Sequence, residues 1–535
     1  MNGATDPAAA VEVALPLGRV RGSSVGGVRR FLGVPYAASV SGPGRFAAPQ
    51  PVAPWHGIRD AAAVGPTAPQ PDRSRFGSLD VSPFFAPGWV RGDDHLTVNI
   101  WAPDGVDGAA PVLVFVHGGG FIAGSASAPA YDGATFARDG VVFVGISYRL
   151  GAPGFLAVPG APDNRGVLDV IQALRWVREN IASFGGDPAS VTLAGQSAGA
   201  VIVASVLCDP DAEGLAQRAI MQSGTGAGAF TPEQGEIVAS AFAAELGIDL
   251  TVDALGAVSD DALVEASRVL SEVDVATASA RAPIGDIVRF GPVHLRQPAD
   301  AITGAWGGGI ELLIGTNLDE AGLYLAPTGR LDGVVDPVAA AARFVAGAEQ
   351  LVEGYRDEFP DAGDAELTRT ITGDGMFGAG TRRFADRHLS AGGTTHVYEF
   401  IWRPDSVHGL LGASHLMELP FVFDIDPGLE GLRGADALLG ATRPPADLAS
   451  RMHAAWVAFV SGHGPGWSAY TAEARLVQLI GAEWEVRPGH RVALYDAWER
   501  ARLSEADHTP TSFGNRTNSS ITRPRSRISP MPSTP

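Results

Sequence analysis

The segment Gly195-Gln196-Ser197-Ala198-Gly199 places a hydroxyl between two glycines, directly after the apolar run Val191-Thr192-Leu193-Ala194 and ahead of a helix-compatible stretch. A serine at a strand-to-helix junction, with no Cβ two positions to either side, can occupy a turn tight enough to lift Oγ clear of the backbone. Upstream, His117-Gly118-Gly119-Gly120-Phe121 follows a second apolar run, Val112–Val116. Glycines there leave backbone N–H groups unobstructed, which is what a developing oxyanion requires. A presented hydroxyl with preset amide donors is equipment for acyl transfer, and it predicts ester hydrolysis through an acyl-enzyme. Gly119 and Gly120 are the expected donors from the glycine run. Ala198, whose N–H opens the helix after the serine, completes the expected hole.

Such a hydroxyl needs a base, and histidine is the side chain with both protonation states accessible near neutral pH. The base in turn needs a carboxylate to orient it. Asp319 and Glu320, within Gly315-Thr316-Asn317-Leu318-Asp319-Glu320-Ala321-Gly322, stand just past the apolar run Leu312-Leu313-Ile314. On chemistry alone either could hold an imidazole. The histidines after them are His388, His396, His408, His415, His453, His463 and His490. His415 lies in a loop that enters the apolar run Leu416–Phe423, and His408 in the same loop region is its rival. His117, in the glycine loop, reads as a residue that fixes the loop by hydrogen bonding. No group of His, Cys and carboxylates has metal-ligand spacing, so neither a metal nor any other cofactor is implied.

Composition removes several alternatives. The 535 residues contain no lysine, every one of the 39 basic residues being arginine. Schiff-base chemistry, a P-loop lysine and a Ser-x-x-Lys esterase are therefore excluded. A formal net charge of −20 argues against nucleic acid as a partner, because a phosphate backbone would be repelled. The single cysteine, Cys208, ends an apolar helical run and reads as a small buried hydrophobe. No basic n-region or apolar h-region opens the chain. The uncharged stretch Ala109–Tyr131 is broken by glycine and proline, so no membrane segment is expected and the cytoplasm is the expected location. The expected partner is a small-molecule ester. The oligomeric state is left open, a monomer being compatible with the sequence.

These residues must be positioned by a sheet. Short β-branched or apolar runs at Val112–Val116, Val141–Ile146, Val191–Leu193 and Ala219–Met221, with further strands expected at Leu312–Ile314 and His396–Phe400, alternate with helical patterns, of which Gly166–Ile181 is the clearest. The pattern predicts an α/β chain with a largely parallel central sheet flanked by helices. Helical, Ala-rich stretches at about 229–290 and 336–392 read as insertions. One domain over 11–507 is expected. Residues 508–535 read as a disordered basic tail, with four arginines and no acid after Thr509.

Taken together the chain resembles the type-B carboxylesterase family, the carboxylesterase/cholinesterase branch of the α/β-hydrolases. The segments that carry the likeness run from about residue 14 to 500. They include Phe31–Ala37, Arg45–Gln50, Asp93–Pro103, the His117–Phe121 loop, Ser147–Gly151, Asn180–Pro188 leading into the serine turn, and Ala219–Gly224. The resemblance implies an α/β-hydrolase fold and a Ser197–His415–Glu320 triad, with Glu320 preferred over Asp319 at the acid position. It also implies that Ser223 supports the triad acid through a hydrogen bond. The chain departs from the family pattern at His95, where a cysteine is frequent, at Val170, where glutamine is common, and in the short segment Gly291–Pro298. Acyl preference is therefore not carried across. Amide, carbamate, pyrethroid or lactone hydrolysis on the same site is the alternative activity. A non-catalytic binding module is disfavoured because the nucleophile, acid and base are all retained. Trp89 is in poor register for a choline-stacking tryptophan.

Overall fold

The computed structural model describes residues 9–105, 109–278, 280–304, 306–426 and 428–507; the tail expected over 508–535 lies outside them. Within the described residues, thirteen strands form one sheet. Its parallel heart runs, in spatial order, through Val142–Ile146, Ala110–Val116, Gly186–Gln196, Arg218–Gln222, Glu311–Asn317, Thr394–Phe400 and Val477–Ile480. Each of the six runs read as strands in the sequence falls on one of the first six, Val141 alone standing one residue ahead of its strand. Antiparallel strands extend the sheet on one side through Thr97–Pro103, Val28–Pro35, Gly18–Val25 and Ala9–Leu15, with Ile58–Asp60 alongside Gly18–Val25. Trp484–Arg487 closes the other edge.

Alternation along the central strands splits the core into two layers. Val112, Val114 and Val116 face one hydrophobic cluster, while Leu113 and Phe115 face the other. Leu312 and Ile314 against Leu313 repeat the pattern. A strand buried on both faces has no reason to carry polar residues, so it reads as a continuous apolar run. Helices cover it: Arg165–Asn180, within one residue of the expected span at either end, and Ala198–Val206, every residue of which is buried. The stretch 336–392, expected to be helical, carries the helices Pro337–Ala342, Ala348–Glu358, Asp364–Gly373 and Ala379–Ser390. It builds a third cluster, with Leu351, Tyr355 and Ile371 against Leu494, Tyr495 and Trp498 of the last helix, Val492–Asp507. Cys208 is half-buried, its thiol pushed up to about 12 by burial. That makes it an inert small side chain.

The carboxyl ends of adjacent parallel strands deliver the residues of interest. Val116 leads into His117, Gln196 into Ser197, Gln222 into Ser223, and Asn317 into Asp319 and Glu320. Open parallel sheets gather ligands at this end.

Candidate active site

The serine turn is held by close approach. A Cβ on Gly195 would come within 2.5 Å of the Gly199 carbonyl carbon, and one on Gly199 would overlap the Val116 carbonyl. Ser197 itself carries the unusual backbone, at φ 56° and ψ −124°. A non-glycine residue there costs on the order of 1–3 kcal/mol, which the surrounding contacts must offset. The Ser197 N–H donates to Gln222 O at 2.9 Å, the Val201 N–H donates to Ser197 O at 3.1 Å, and the Ser223 N–H donates to Gly315 O at 2.9 Å. The turn is thus stitched to strand and helix at once.

Beside it, Gly119 adopts φ 116° and Gly120 φ 64°. The Gly119 carbonyl points away and accepts from Ala123 N at 3.2 Å, so a Cβ on Gly119 would strike Ala123 O. Among the described residues the amides of Gly119, Gly120 and Ala198 have no hydrogen-bond partner in the protein. Behind them His117 is stacked on Tyr148 at 4.6 Å, donates from Nδ1 to Gly118 O at 2.8 Å, and accepts the Tyr148 hydroxyl on its own carbonyl at 2.9 Å. Burial lowers this imidazole to about 4, so it stays neutral and fixes the loop.

His415 and Glu320 come together from residues 95 apart, His415 Nδ1 donating to Glu320 Oε2 at 2.6 Å. Both are 2 % exposed. The other carboxylate oxygen, Oε1, accepts the Asn317 N–H at 2.7 Å. Phe377 stacks on the imidazole at 4.6 Å and 16°. Asp319, the competing acid, is occupied elsewhere. Arg403 grips it at 2.7 and 3.1 Å, Arg369 donates at 3.1 Å, and the Ala413 N–H donates at 2.9 Å. Asp319 therefore pins the loop that carries His415. His408 is exposed on the surface.

Two placements depart from expectation. Ser223 is fully buried, but its hydroxyl has no hydrogen-bond partner, so the bond expected to support Glu320 is not made. Both Glu320 oxygens already have donors, in Asn317 and His415. In addition, Ser197 Oγ makes no hydrogen bond to His415 among the described contacts. The amide of Gln196 lies 3.3 Å from His415 Nε2, and the Ser197 hydroxyl interacts with the phenol of Tyr324. Gln196, Asn317 and Tyr324 had no signal in the sequence beyond proximity to the serine and acid motifs, and Phe377, far from both along the chain, had none.

Glu418 is a further buried carboxyl behind this pair, accepting from Asn317 Nδ2 at 2.6 Å. Burial, and then the charge of Glu320, push it up to about 7. Among the described residues, no group of His, Cys, Asp and Glu could hold a metal ion.

Comparison with known proteins decides the lineage. The carboxylesterase family model matches residues 9–485. The chain belongs to the carboxylesterase family. It is a type-B carboxylesterase with the α/β-hydrolase fold, and a carboxylic ester hydrolase. Para-nitrobenzyl esterase of Bacillus subtilis (strain 168) is 34 % identical over 478 residues, spanning 87 % of this chain and 94 % of the relative. Phenmedipham hydrolase of Pseudarthrobacter oxydans is 34 % identical over 490 residues, spanning 85 % and 92 %. A solved PNB esterase superimposes with TM-score 0.77 at 32 % identity, covering 91 % of this carboxylesterase and 98 % of the other. A Geobacillus stearothermophilus carboxylesterase superimposes with TM-score 0.78 at 31 % identity, covering 91 % and 99 %. Among the described residues of the carboxylesterase, no helix is long and apolar enough to cross a membrane.

Proposed function

We propose that this carboxylesterase cleaves its ester through an acyl-enzyme on Ser197, with His415 as base, Glu320 as its orienting acid, and the amides of Gly119, Gly120 and Ala198 as the oxyanion hole. The observation that carries the reading is the buried His415–Glu320 contact of 2.6 Å at the rim of the serine turn. With Nδ1–H given to Glu320, Nε2 presents its lone pair toward the Ser197 side. That nitrogen first exchanges the Gln196 amide for the Ser197 hydroxyl. It then takes the proton as Oγ attacks the carbonyl, and the tetrahedral oxyanion rests on the three unpartnered amides, each lowering the barrier by about 3 kcal/mol. His415 returns the proton to the leaving alcohol, and water repeats the sequence to release the acid. No cofactor enters any step. The substrate is a small-molecule ester, an acyl ester of a bulky or aromatic alcohol. A single cysteine agrees with a reducing compartment, and we place the enzyme in the cytoplasm. Turnover of p-nitrophenyl acetate should fall to background in Ser197→Ala. Full turnover in that variant would overturn the assignment.

A further inference from the structure

Arg73 is a half-buried cation set against the glycine loop. Its Nη1 lies 3.3 Å from Gly119 O, and 3.4 Å from where a Cβ on Gly120 would stand. The guanidinium sits over the ring of Phe76 at 4.8 Å and within 5.9 Å of Phe85. Phe76 packs edge-on against Tyr324, and Tyr324 lies 5.6 Å from the His415 ring. The cation therefore shares the cleft of the nucleophile and the expected oxyanion amides.

What distinguishes it is the missing counter-charge. Arg149, Arg369 and Arg491, which are buried, each pair with a carboxylate. Arg165 has no carboxylate hydrogen bond but donates to four backbone carbonyls, those of Pro153, Pro162, Ala152 and Leu156. Arg73 has one carbonyl and no carboxylate within ion-pair distance among the described residues. Its neighbour Asp72 is turned to Ser74. Burial lowers the Arg73 guanidinium from its usual range, a cost that the Tyr324 phenol opposes and that no carboxylate among the described residues offsets. Phenylalanine faces attract a cation but take none of its N–H donors, which stay open to an incoming anion. A planar fork with free donors matches a carboxylate.

We propose that Arg73 selects esters that carry a carboxylate close to the scissile bond, on the acid or the alcohol side, by pairing with that carboxylate across the glycine loop. The inference rests on the acyl-enzyme reading above and names its substrate class. An ester of this kind supplies the anion that the protein omits, and an uncharged ester leaves the cation unpaired on binding.

The test compares two matched pairs of substrates. Monomethyl adipate against dimethyl adipate places the charge on the acid side, and 4-acetoxybenzoate against its methyl ester places it on the alcohol side. The readout is the ratio of kcat/KM, charged over neutral, in the wild type, Arg73→Gln and Arg73→Lys. The ratio should fall at least fivefold in Arg73→Gln for one pair, which identifies the side, and Arg73→Lys should recover part of it. Arg73 acting only as a brace for Gly119 would depress both members of a pair alike. A change of less than fivefold in both pairs overturns the proposal. Neutral esters still cleaved in a Ser197-dependent manner would then leave the acyl-enzyme reading standing. Wild-type enzyme that cleaves none of the four esters overturns the proposal alone, and p-nitrophenyl acetate turnover that does not depend on Ser197 overturns both.

Discussion

Asp319 and Glu320 are neighbours in sequence, both buried, and chemically near-equivalent, yet they face different partners. Glu320 holds the imidazole, and Asp319 holds Arg369, Arg403 and the Ala413 amide. Residue types alone left that choice open, because the arginines that claim Asp319 lie far along the chain. Two different losses follow. Glu320→Gln should lower kcat by on the order of 10³–10⁴, since the imidazole loses its orienting charge, with little change in Tm. Asp319→Asn should instead lower stability by roughly 3 kcal/mol, because Arg369 is left buried beside a neutral amide. Thermal melts together with kcat for the two variants check the division. A kcat loss larger in Asp319→Asn would reverse the assignment. Glu418 adds a pH term. Its carboxyl is raised to about 7 in the folded protein, against an ordinary value near 4.3 in the unfolded chain. The folded state thus binds the extra proton, and the stabilisation is complete below pH 4 and lost as pH rises to 7. The amount is on the order of 3 kcal/mol. Tm measured between pH 4.5 and 8 should decline less in Glu418→Gln than in the wild type.

The elements that carry the site were legible where burial is two-sided. Runs such as Val112–Val116 and Leu312–Ile314 admit no polar residue and lie wholly in the parallel strands, while His396–Phe400 keeps a buried Glu399 that His490 and Arg491 satisfy. Thr97–Pro103 is equally buried but was not read as a strand. Its Asn99 breaks the apolar run while accepting the Gly33 N–H at 2.8 Å and donating to Ala126 O at 3.1 Å. A satisfied buried amide looks like a loop residue in sequence. The serine turn was legible for a related reason. Glycine at 195 and 199 is required by the approach of Gly199 and Val116 backbone, although the left-handed strain falls on Ser197. Gly119→Ala tests the neighbouring loop. The new methyl meets Ala123 O and disfavours φ 116°, so the amide should leave its place. kcat/KM should fall by about 10²–10³, the worth of one oxyanion donor. Retention of more than a third of wild-type kcat/KM would show that this amide is not used.

At the scale of the whole molecule, the carboxyl ends of the parallel strands bring His117, Ser197, Ser223 and Glu320 to one edge of the sheet, and His415 arrives on a loop after the next strand. Chain order alone suggested this, but not the clamp that holds the outer segments to it. Arg149 donates to Asp169 at 2.7 and 2.8 Å and to the Ala47 and Arg45 carbonyls at 2.6 and 3.1 Å, with neither member of the pair exposed. It ties the segment after strand Val142–Ile146, helix Arg165–Asn180 and the Arg45–Ala47 loop together. Asp169→Asn should cost roughly 3–5 kcal/mol, read as a large drop in Tm, because Arg149 then lies buried without a counter-charge. The most direct trial of the whole account is intact-mass and peptide mapping after a fluorophosphonate probe. One adduct should form on the peptide that contains Ser197, and none in Ser197→Ala. An adduct on any other residue, or equal labelling of the variant, would contradict the account.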